Sequence, residues 1–319
     1  ANSMGAFGRQ GQDLGMSALE DAIDSVGGKM IDAFNSGDAA GYAMHQKEMD
    51  RLEERQLKIL NAAGTESDAI RKSITAQQEK IDKLIDVRES FTNYLQESHD
   101  INVSSENLDL LHENLSVENV NNVRYGFFQY INSISKDFTS DYLEFAKKSM
   151  FEVVGTELAS SKMVNFSIQM PNDESSILPL HSDMFSGESP FQVNLWVPLT
   201  DAKDTNSMFI FNPSFSQKIC SELNDYEEDG LERLMMEYKD EYIFLNVPFG
   251  KGLIFSPTCL HGNVLNTTKT SRLSFNCRYK NLFTPYHKSE ESEKKLGSFY
   301  KALTPKAATL IGLNFNLDE

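Results

Sequence analysis

Downstream of Lys162 the sequence settles into a period of two. "MVNFSIQMP", "FQVNLWVPL", "SMFIFNPS", "EYIFLNVPF", "KGLIFSP" and "SRLSFNCRY" are short and rich in β-branched and aromatic residues, and clusters of Gly, Pro, Asn, Asp and Ser separate them. Successive side chains of a strand point to opposite faces, so each segment predicts a strand with one face turned to a core. No helical segments alternate with them, which argues against a parallel sheet and for an antiparallel sandwich or barrel. Helices are expected between residues 105 and 150, for instance over "SDYLEFAKKSMFEVV", packed outside the sheets. Another is expected from Ser289 to Leu303.

Residues 15–97 follow a different rule. Ile70, Ile74, Ile81, Leu84, Phe91 and Leu95 recur in alternating steps of four and three, with Gln77 and Arg88 at the two polar positions of the seam. That is the spacing of a coiled-coil helix. Upstream, Met49, Leu52, Ile59 and Ala63 share a helical face, and "AAGTESD" supplies a glycine stop and an N-cap at Thr65 or Ser67. The two arms predict an antiparallel helical hairpin. Before them "MSALEDAIDSVGGKMIDAF" reads as a shorter amphipathic helix interrupted at Gly27 and Gly28. The expected organisation is therefore a helical, coiled-coil-like region over residues 1–97 and a β-rich domain over residues 98–319. The first offers a surface for packing or self-association and carries no catalytic cluster.

Composition narrows the partners. A formal charge of −17 disfavours nucleic acid and anionic membrane surfaces, so an anionic ligand needs a local basic site, for which Lys251, Lys269 and Lys280 are candidates. No apolar run is long enough to span a bilayer and the N-terminus lacks the order of a signal peptide, so a cytoplasmic location is expected. Cys220, Cys259 and Cys277 lack metal-finger spacing and read as reduced, packed thiols.

Of the six histidines, His45, His99 and His112 fall in or near helices and His287 in a charged loop, where solvated roles are expected. His181 and Asp183, two apart in "LPLHSDMF", can present an imidazole and a carboxylate to one point; alone they are either half of a metal site or a polar turn. A third ligand stands at His261, at the end of a strand. Two histidines and one carboxylate on one face of a metal leave positions open for cosubstrate and O2, the arrangement of non-haem Fe(II) oxygenases. Arg272 and Ser274, on the strand that returns from His261, set a guanidinium beside a hydroxyl, suited to gripping a carboxylate. Cys259 shares a strand face with His261 and reads as packing.

In this order the residues resemble the Fe(II)/2-oxoglutarate-dependent oxygenases. The stretch "NFSIQMPNDESSILPLHSDMFSGESPFQVNLWVPLTDAKDTNSMFIF" is similar to the phytanoyl-CoA-hydroxylase-like branch found in sugar and aminoglycoside biosynthesis clusters, the streptomycin-cluster type. The resemblance covers residues 100–319 and leaves the helical region outside. It implies an α+β domain built on a double-stranded β-helix, or cupin-like jelly roll, with flanking helices. It also implies Fe(II) on His181, Asp183 and His261, 2-oxoglutarate held by Arg272 and Ser274, and O2-dependent hydroxylation of a small, carbohydrate-derived substrate with release of succinate and CO2. A carboxylate at Asp183 favours oxygen transfer over halogen transfer. By the family's pattern Asn194 contacts the cosubstrate and Gln169 is a second such amide, though either amide also suits a structural role in the barrel. Trp196 is set on the same face as Asn194 and Gln192, as a sugar platform or as core. The competing reading is a helical assembly protein that carries a catalytically inactive oxygenase-fold binding domain.

Overall fold

The computed structural model describes residues 4–36, 38–61, 67–135, 137–222, 234, 236–286 and 293–314. It divides into two compact units, Ala1–Val87 with Ser104–Asn107, and Arg88–Val103 with Leu108–Glu319. No helix among the described residues is long and apolar enough to cross a membrane.

In the first unit α1 (Met4–Asn35) runs unbroken and packs along α2 (Ala39–Asn61). Among the side chains of α1 that are described, Leu19, Val26 and Ala33 are buried, seven apart, so one narrow stripe faces α2 there. The expected interruption at Gly27 and Gly28 does not occur. A Cβ on Gly27 would sit 3.8 Å from the Met49 methyl, so this glycine lies in the helix contact, and packing there offsets the roughly 1 kcal/mol that glycine costs a helix. Asp38 starts α2 as an N-cap, its carboxylate accepting from the Gly41 amide at 2.8 Å. The expected turn between α2 and α3 falls on residues 62–66, outside the described residues.

Helix α3 (Ser67–His99) contributes to both units. Along its heptad seam Gln77 is exposed, whereas Leu84, Arg88, Phe91 and Leu95 are buried; the side chains of Ile70 and Ile74 lie outside the described residues. In the second unit Phe91 meets Phe127 of α4 (Val117–Ile134) at 4.7 Å and Phe166 at 5.2 Å between ring centroids. Burial of these rings explains why the last turns of α3 belong to the β-rich unit.

All six expected strands form, as β2 (Asn165–Gln169), β3 (Gln192–Pro198), β4 (Phe209–Phe211), β5 (Tyr242–Phe244), β6 (Leu253–Phe255) and β8 (Arg272–Asn281). Three more appear, β1 (Leu158–Ser161), β7 (His261–Gly262) and β9 (Tyr300–Ala302). The larger sheet runs β6-β3-β8-β1-β9, with β2 beside β1 on the same edge of β8, and the smaller runs β5-β4-β7; every pairing is antiparallel. The helix expected at Ser289–Leu303 is not seen where that segment is described. Tyr300–Ala302 instead pairs with β1, and the fully buried Tyr300 hydroxyl bonds to the Glu188 carboxylate, which a helix there would not reach.

The ten residues of β8 organise the second unit. Leu273, Phe275, Cys277 and Tyr279 turn to the helices, where Phe275 packs on Phe166 and Phe138 and the Tyr142 hydroxyl bonds the Leu195 and Phe275 carbonyls. Arg272, Ser274, Asn276, Arg278 and Lys280 alternate with them and face the other way. Trp196 of β3 and Phe255 of β6 cluster with Met208 and Ile210 of the smaller sheet, so both sheets share one core. Removing the Phe127 ring is expected to cost about 3–5 kcal/mol. Urea unfolding should show a clearly lower midpoint for Phe127→Ala, while Tyr125→Ala, at an exposed ring on the same helix, should stay within about 0.5 kcal/mol.

Candidate metal centre

Backbone pairing brings the two histidines together. His181 and His261 exchange hydrogen bonds in both directions, each N–H to the other's carbonyl at 2.9 Å, and their ring centroids are 4.3 Å apart. This close approach needs Gly262, because a Cβ there would lie 2.7 Å from the Leu178 carbonyl and 3.0 Å from that of Pro179. Asn263 completes the joint: its N–H bonds the Leu178 carbonyl at 2.9 Å, its side-chain amide donates to the Ser176 carbonyl at 3.0 Å, and its side-chain oxygen accepts from the Leu178 amide.

Asp183 is not on a strand, contrary to the alternation argument. It opens a short 3-10 turn, Asp183–Ser186, capped by the Ser182 hydroxyl and ended by Gly187 in the left-handed region at φ 78°. The turn nevertheless brings its carboxylate to the imidazoles, and the ligand atoms of His181, Asp183 and His261 all lie within 4.8 Å of one another.

Protonation suits the group to a cation. His181 Nδ1 lies 2.8 Å from the Pro179 carbonyl and His261 Nδ1 lies 2.8 Å from the Cys259 carbonyl. A carbonyl only accepts, so both Nδ1 atoms carry the hydrogen and both Nε2 lone pairs are available. Burial, then the neighbouring His181, lowers the His261 pKa to about 4, which keeps that ring neutral at physiological pH. Burial raises the Asp183 pKa, but the neighbouring His181 ring, the charge of Arg278 and the hydrogen bond from Asn194 outweigh it and hold the carboxyl well below its ordinary range. Asn194 donates to Asp183 Oδ2 at 2.5 Å, leaving Oδ1, 3.6 Å from His181 Nε2, toward the cluster. Two imidazoles with Nε2 turned to one point and one carboxylate, fixed from behind, fit a divalent metal that keeps open positions.

A second feature lies on the same face of β8. The Arg272 guanidinium is buried, and its nitrogens donate to the Asn206 carbonyl (3.1 Å), the Ser274 hydroxyl (2.7 Å) and Gln169 Oε1 (3.0 Å). Trp196 lies 5.8 Å from the guanidinium carbon, between platform and core in character. Burial lowers the Arg272 pKa to about 10, still charged at neutral pH, and among the described residues no carboxylate pairs with it. Gln169 uses both ends of its amide, giving its nitrogen to the Val264 carbonyl at 2.7 Å.

Asn194 thus meets a candidate metal ligand, with its own oxygen unpartnered, and Gln169 meets the basic residue. Lys280 offers little to an anion: its ammonium bonds the Asn281 and Thr284 carbonyls at 2.9 and 2.6 Å and lies 3.6 Å over the Tyr286 ring. His112 is not solvated, since its Nδ1 is 3.0 Å from the hydroxyl of Ser271, next to Arg272. His287 lies outside the described residues. Arg278 and Glu188 were not singled out from the sequence. Alternation along β8 could have found Arg278, on the face of Arg272 and Ser274; nothing local marks Glu188.

No protein-family model matches the chain, and no curated protein matches it. Solved structures similar to it include a nickel complex of the non-haem monooxygenase ThoJ, at 14 % identity and TM-score 0.37, covering 62 % of this chain and 85 % of that one. The α-ketoglutarate-dependent epimerase SnoN from nogalamycin biosynthesis matches at 15 % and 0.37, covering 56 % and 71 %. HygX from Streptomyces hygroscopicus, with nickel and 2-oxoglutarate bound, matches at 14 % and 0.39, covering 53 % and 76 %. Identities of 14–15 % with TM-scores of 0.37–0.39 fix neither the fold nor the activity of this chain.

The clearest test of the site's construction is Gly262→Ala. The added methyl must displace the strand that carries His181, so Mn(II) affinity measured by calorimetry should fall by about tenfold or more while the protein stays folded.

Proposed function

We propose that the chain is a non-haem Fe(II)- and 2-oxoglutarate-dependent oxygenase whose β-rich unit is a cupin-like jelly roll. His181, Asp183 and His261 are its metal ligands, and Arg272 with Ser274 receives the distal carboxylate of 2-oxoglutarate. With Fe(II) bound, such a centre supplies O2-dependent hydroxylation of a C–H bond, with succinate and CO2 as co-products.

The observation that carries this reading is Arg272. A buried guanidinium held only by neutral acceptors is costly unless an anion joins it, and a candidate metal cluster stands in the same unit. A cupin-like metal enzyme without 2-oxoglutarate accounts for the histidines and leaves Arg272 unexplained. Within this proposal Gln169 and Ser274 aim the guanidinium, and Asn194 turns Asp183 so that one oxygen binds metal. The Asn194 Oδ1, buried and without a partner, is available to a cosubstrate or a metal-bound water. Trp196 walls the Arg272 side, and Phe255 packs edge-on to His261 at 5.0 Å, excluding water behind the ring.

The substrate proposed is small and carbohydrate-derived, on the strength of the sequence resemblance alone. Anaerobic addition of Fe(II) and 2-oxoglutarate should produce the visible charge-transfer band of the chelate. His181→Ala should abolish it, and Arg272→Ala should raise the 2-oxoglutarate concentration needed by about tenfold to a hundredfold. No band in the unaltered protein would sink the assignment; a band indifferent to Arg272 removes the carboxylate clamp from it.

For residues 1–97 we propose an assembly role, supported by the heptad spacing of α3. Sedimentation of the full chain at micromolar concentration should then report a mass above the monomer's 36.0 kDa. A monomer throughout that range counts against it.

A further inference from the structure

The polar face of β8 is closed at both ends and open between them. Arg272 and Ser274 are 5 % and 1 % exposed and Lys280 is fully buried, whereas Asn276 is half-buried and the Arg278 side chain is 16 % exposed. The opening continues onto β2, where Asn165, the residue paired with Asn276, is exposed on the same face. It lies beside the candidate metal centre. Arg278, two residues and about 7 Å along the strand from Asn276, has a terminal nitrogen 3.5 Å from Asp183 Oδ1, and the His181 side chain is 23 % exposed.

Both signs of charge are already matched there. Arg278 stands between Asp183 and Glu188, with Nε 3.1 Å from Glu188 Oε1, and Glu188 also meets Lys294 at 2.9 Å and the Tyr300 hydroxyl at 2.8 Å. The unmatched groups are neutral. Asn276 Oδ1 is buried without a hydrogen-bond partner, and among the described residues nothing bonds either end of the Asn276 or the Asn165 amide. On the neighbouring strand β3, Asn194 gives its nitrogen to Asp183 at 2.5 Å and Gln192 bonds the Tyr300 hydroxyl, and the other end of each amide has no partner. Polar groups removed from water without partners are costly, so a ligand that supplies partners is favoured. An amide offers a donor and an acceptor side by side. A carboxylate would leave its oxygen bare and an ammonium would leave its nitrogen bare, whereas two adjacent hydroxyls serve both ends.

We infer that Asn276, with Asn165 beside it, is a substrate-binding residue that receives a vicinal diol on the molecule to be oxidised, one hydroxyl donating to Oδ1 and its neighbour accepting from Nδ2. This deepens the proposed function and rests on it. The substrate is uncharged where it meets the protein next to the metal, as a neutral sugar ring is, which gives the carbohydrate reading a basis in side-chain chemistry.

The test uses three small probes: glycerol α-fluorohydrin, which is a vicinal diol; its dimethyl ether, which only accepts; and fluoropropylammonium, which only donates. Each is added to full-length protein loaded with Mn(II) and 2-oxoglutarate, and paramagnetic broadening of the fluorine NMR line reports a probe close to the metal. The diol should broaden about threefold to tenfold more than either comparator, the worth of one neutral hydrogen bond. Asn276→Leu, which removes the amide and keeps a side chain of similar length, should bring the diol down to the level of the ether. Asn165→Ala, at an exposed position where the fold is not at stake, should lower it by about threefold. In both variants the Fe(II) chelate band should form at the same 2-oxoglutarate concentration as in the unaltered protein. No broadening of the diol, equal broadening of the three probes, or a diol preference that survives Asn276→Leu overturns the inference. A preference untouched by Asn165→Ala removes Asn165 from the subsite. Loss of the band in Asn276→Leu, or its shift to higher 2-oxoglutarate, also overturns the inference, because the amide then serves the cosubstrate. A missing band in the unaltered protein is a separate result, and it overturns the oxygenase reading together with this one.

Discussion

The reciprocal pair of backbone hydrogen bonds between His181 and His261 is the constraint on which the rest of the site depends. Eighty residues separate the two positions, so no local preference can bring them together. A two-residue bridge does so, and it survives only because Gly262 has no side chain and Asn263 fastens the neighbouring backbone. Once the bridge exists, each ring is oriented by a bond from its Nδ1 to a carbonyl two residues earlier in the chain. The geometry at the candidate metal ligands is therefore set by backbone, which is more rigid than packing among side chains alone.

Strand β8 extends that order across the unit. Its odd-numbered residues from Leu273 to Tyr279 form an apolar and aromatic face against helices, and its even-numbered residues form a polar face bearing both arginines. Burying the first face fixes the register, and a slip of one residue would exchange the two faces and bury Arg272 among phenylalanines. The aromatic cluster of Phe91, Phe127, Phe166 and Phe275 thus aims Arg272, although none of these rings touches it. Packing on one side of a strand supplies precision on the other.

The legible part of the sequence was what short-range pattern controls. Six strands announced themselves by alternation in and around them, even β4, β5 and β6 with three residues each, and His181, Asp183, His261, Arg272 and Ser274 stood out because their side-chain chemistry is specific. What stayed hidden depended on tertiary partners. β7 and β9 lie in segments that do not alternate and exist through what they pair with. The unbroken course of α1 through two glycines likewise reflects its contact with α2. Asn194 and Gln169 were visible as inward amides, but which group each amide meets is a matter of distance, and the structure gives Asp183 and Arg272. Glu188 could not be found because its significance lies in three partners from β8, β9 and the segment before β9.

The electrostatics of the chain make its ligand recognition a short-range affair. With a net charge of −17, the surface opposes approach of an anion until the ligand is within about a Debye length, roughly 8 Å at physiological salt. On the proposed function, attraction then comes from the buried Arg272, whose interaction with a carboxylate strengthens as water is excluded. Such a site gains little from long-range steering and depends on fit once the ligand has entered. The two arginines of one strand face therefore stand in different surroundings: buried Arg272 is met by neutral acceptors and is left under-compensated, whereas the partly exposed Arg278 already lies beside the carboxylates of Asp183 and Glu188.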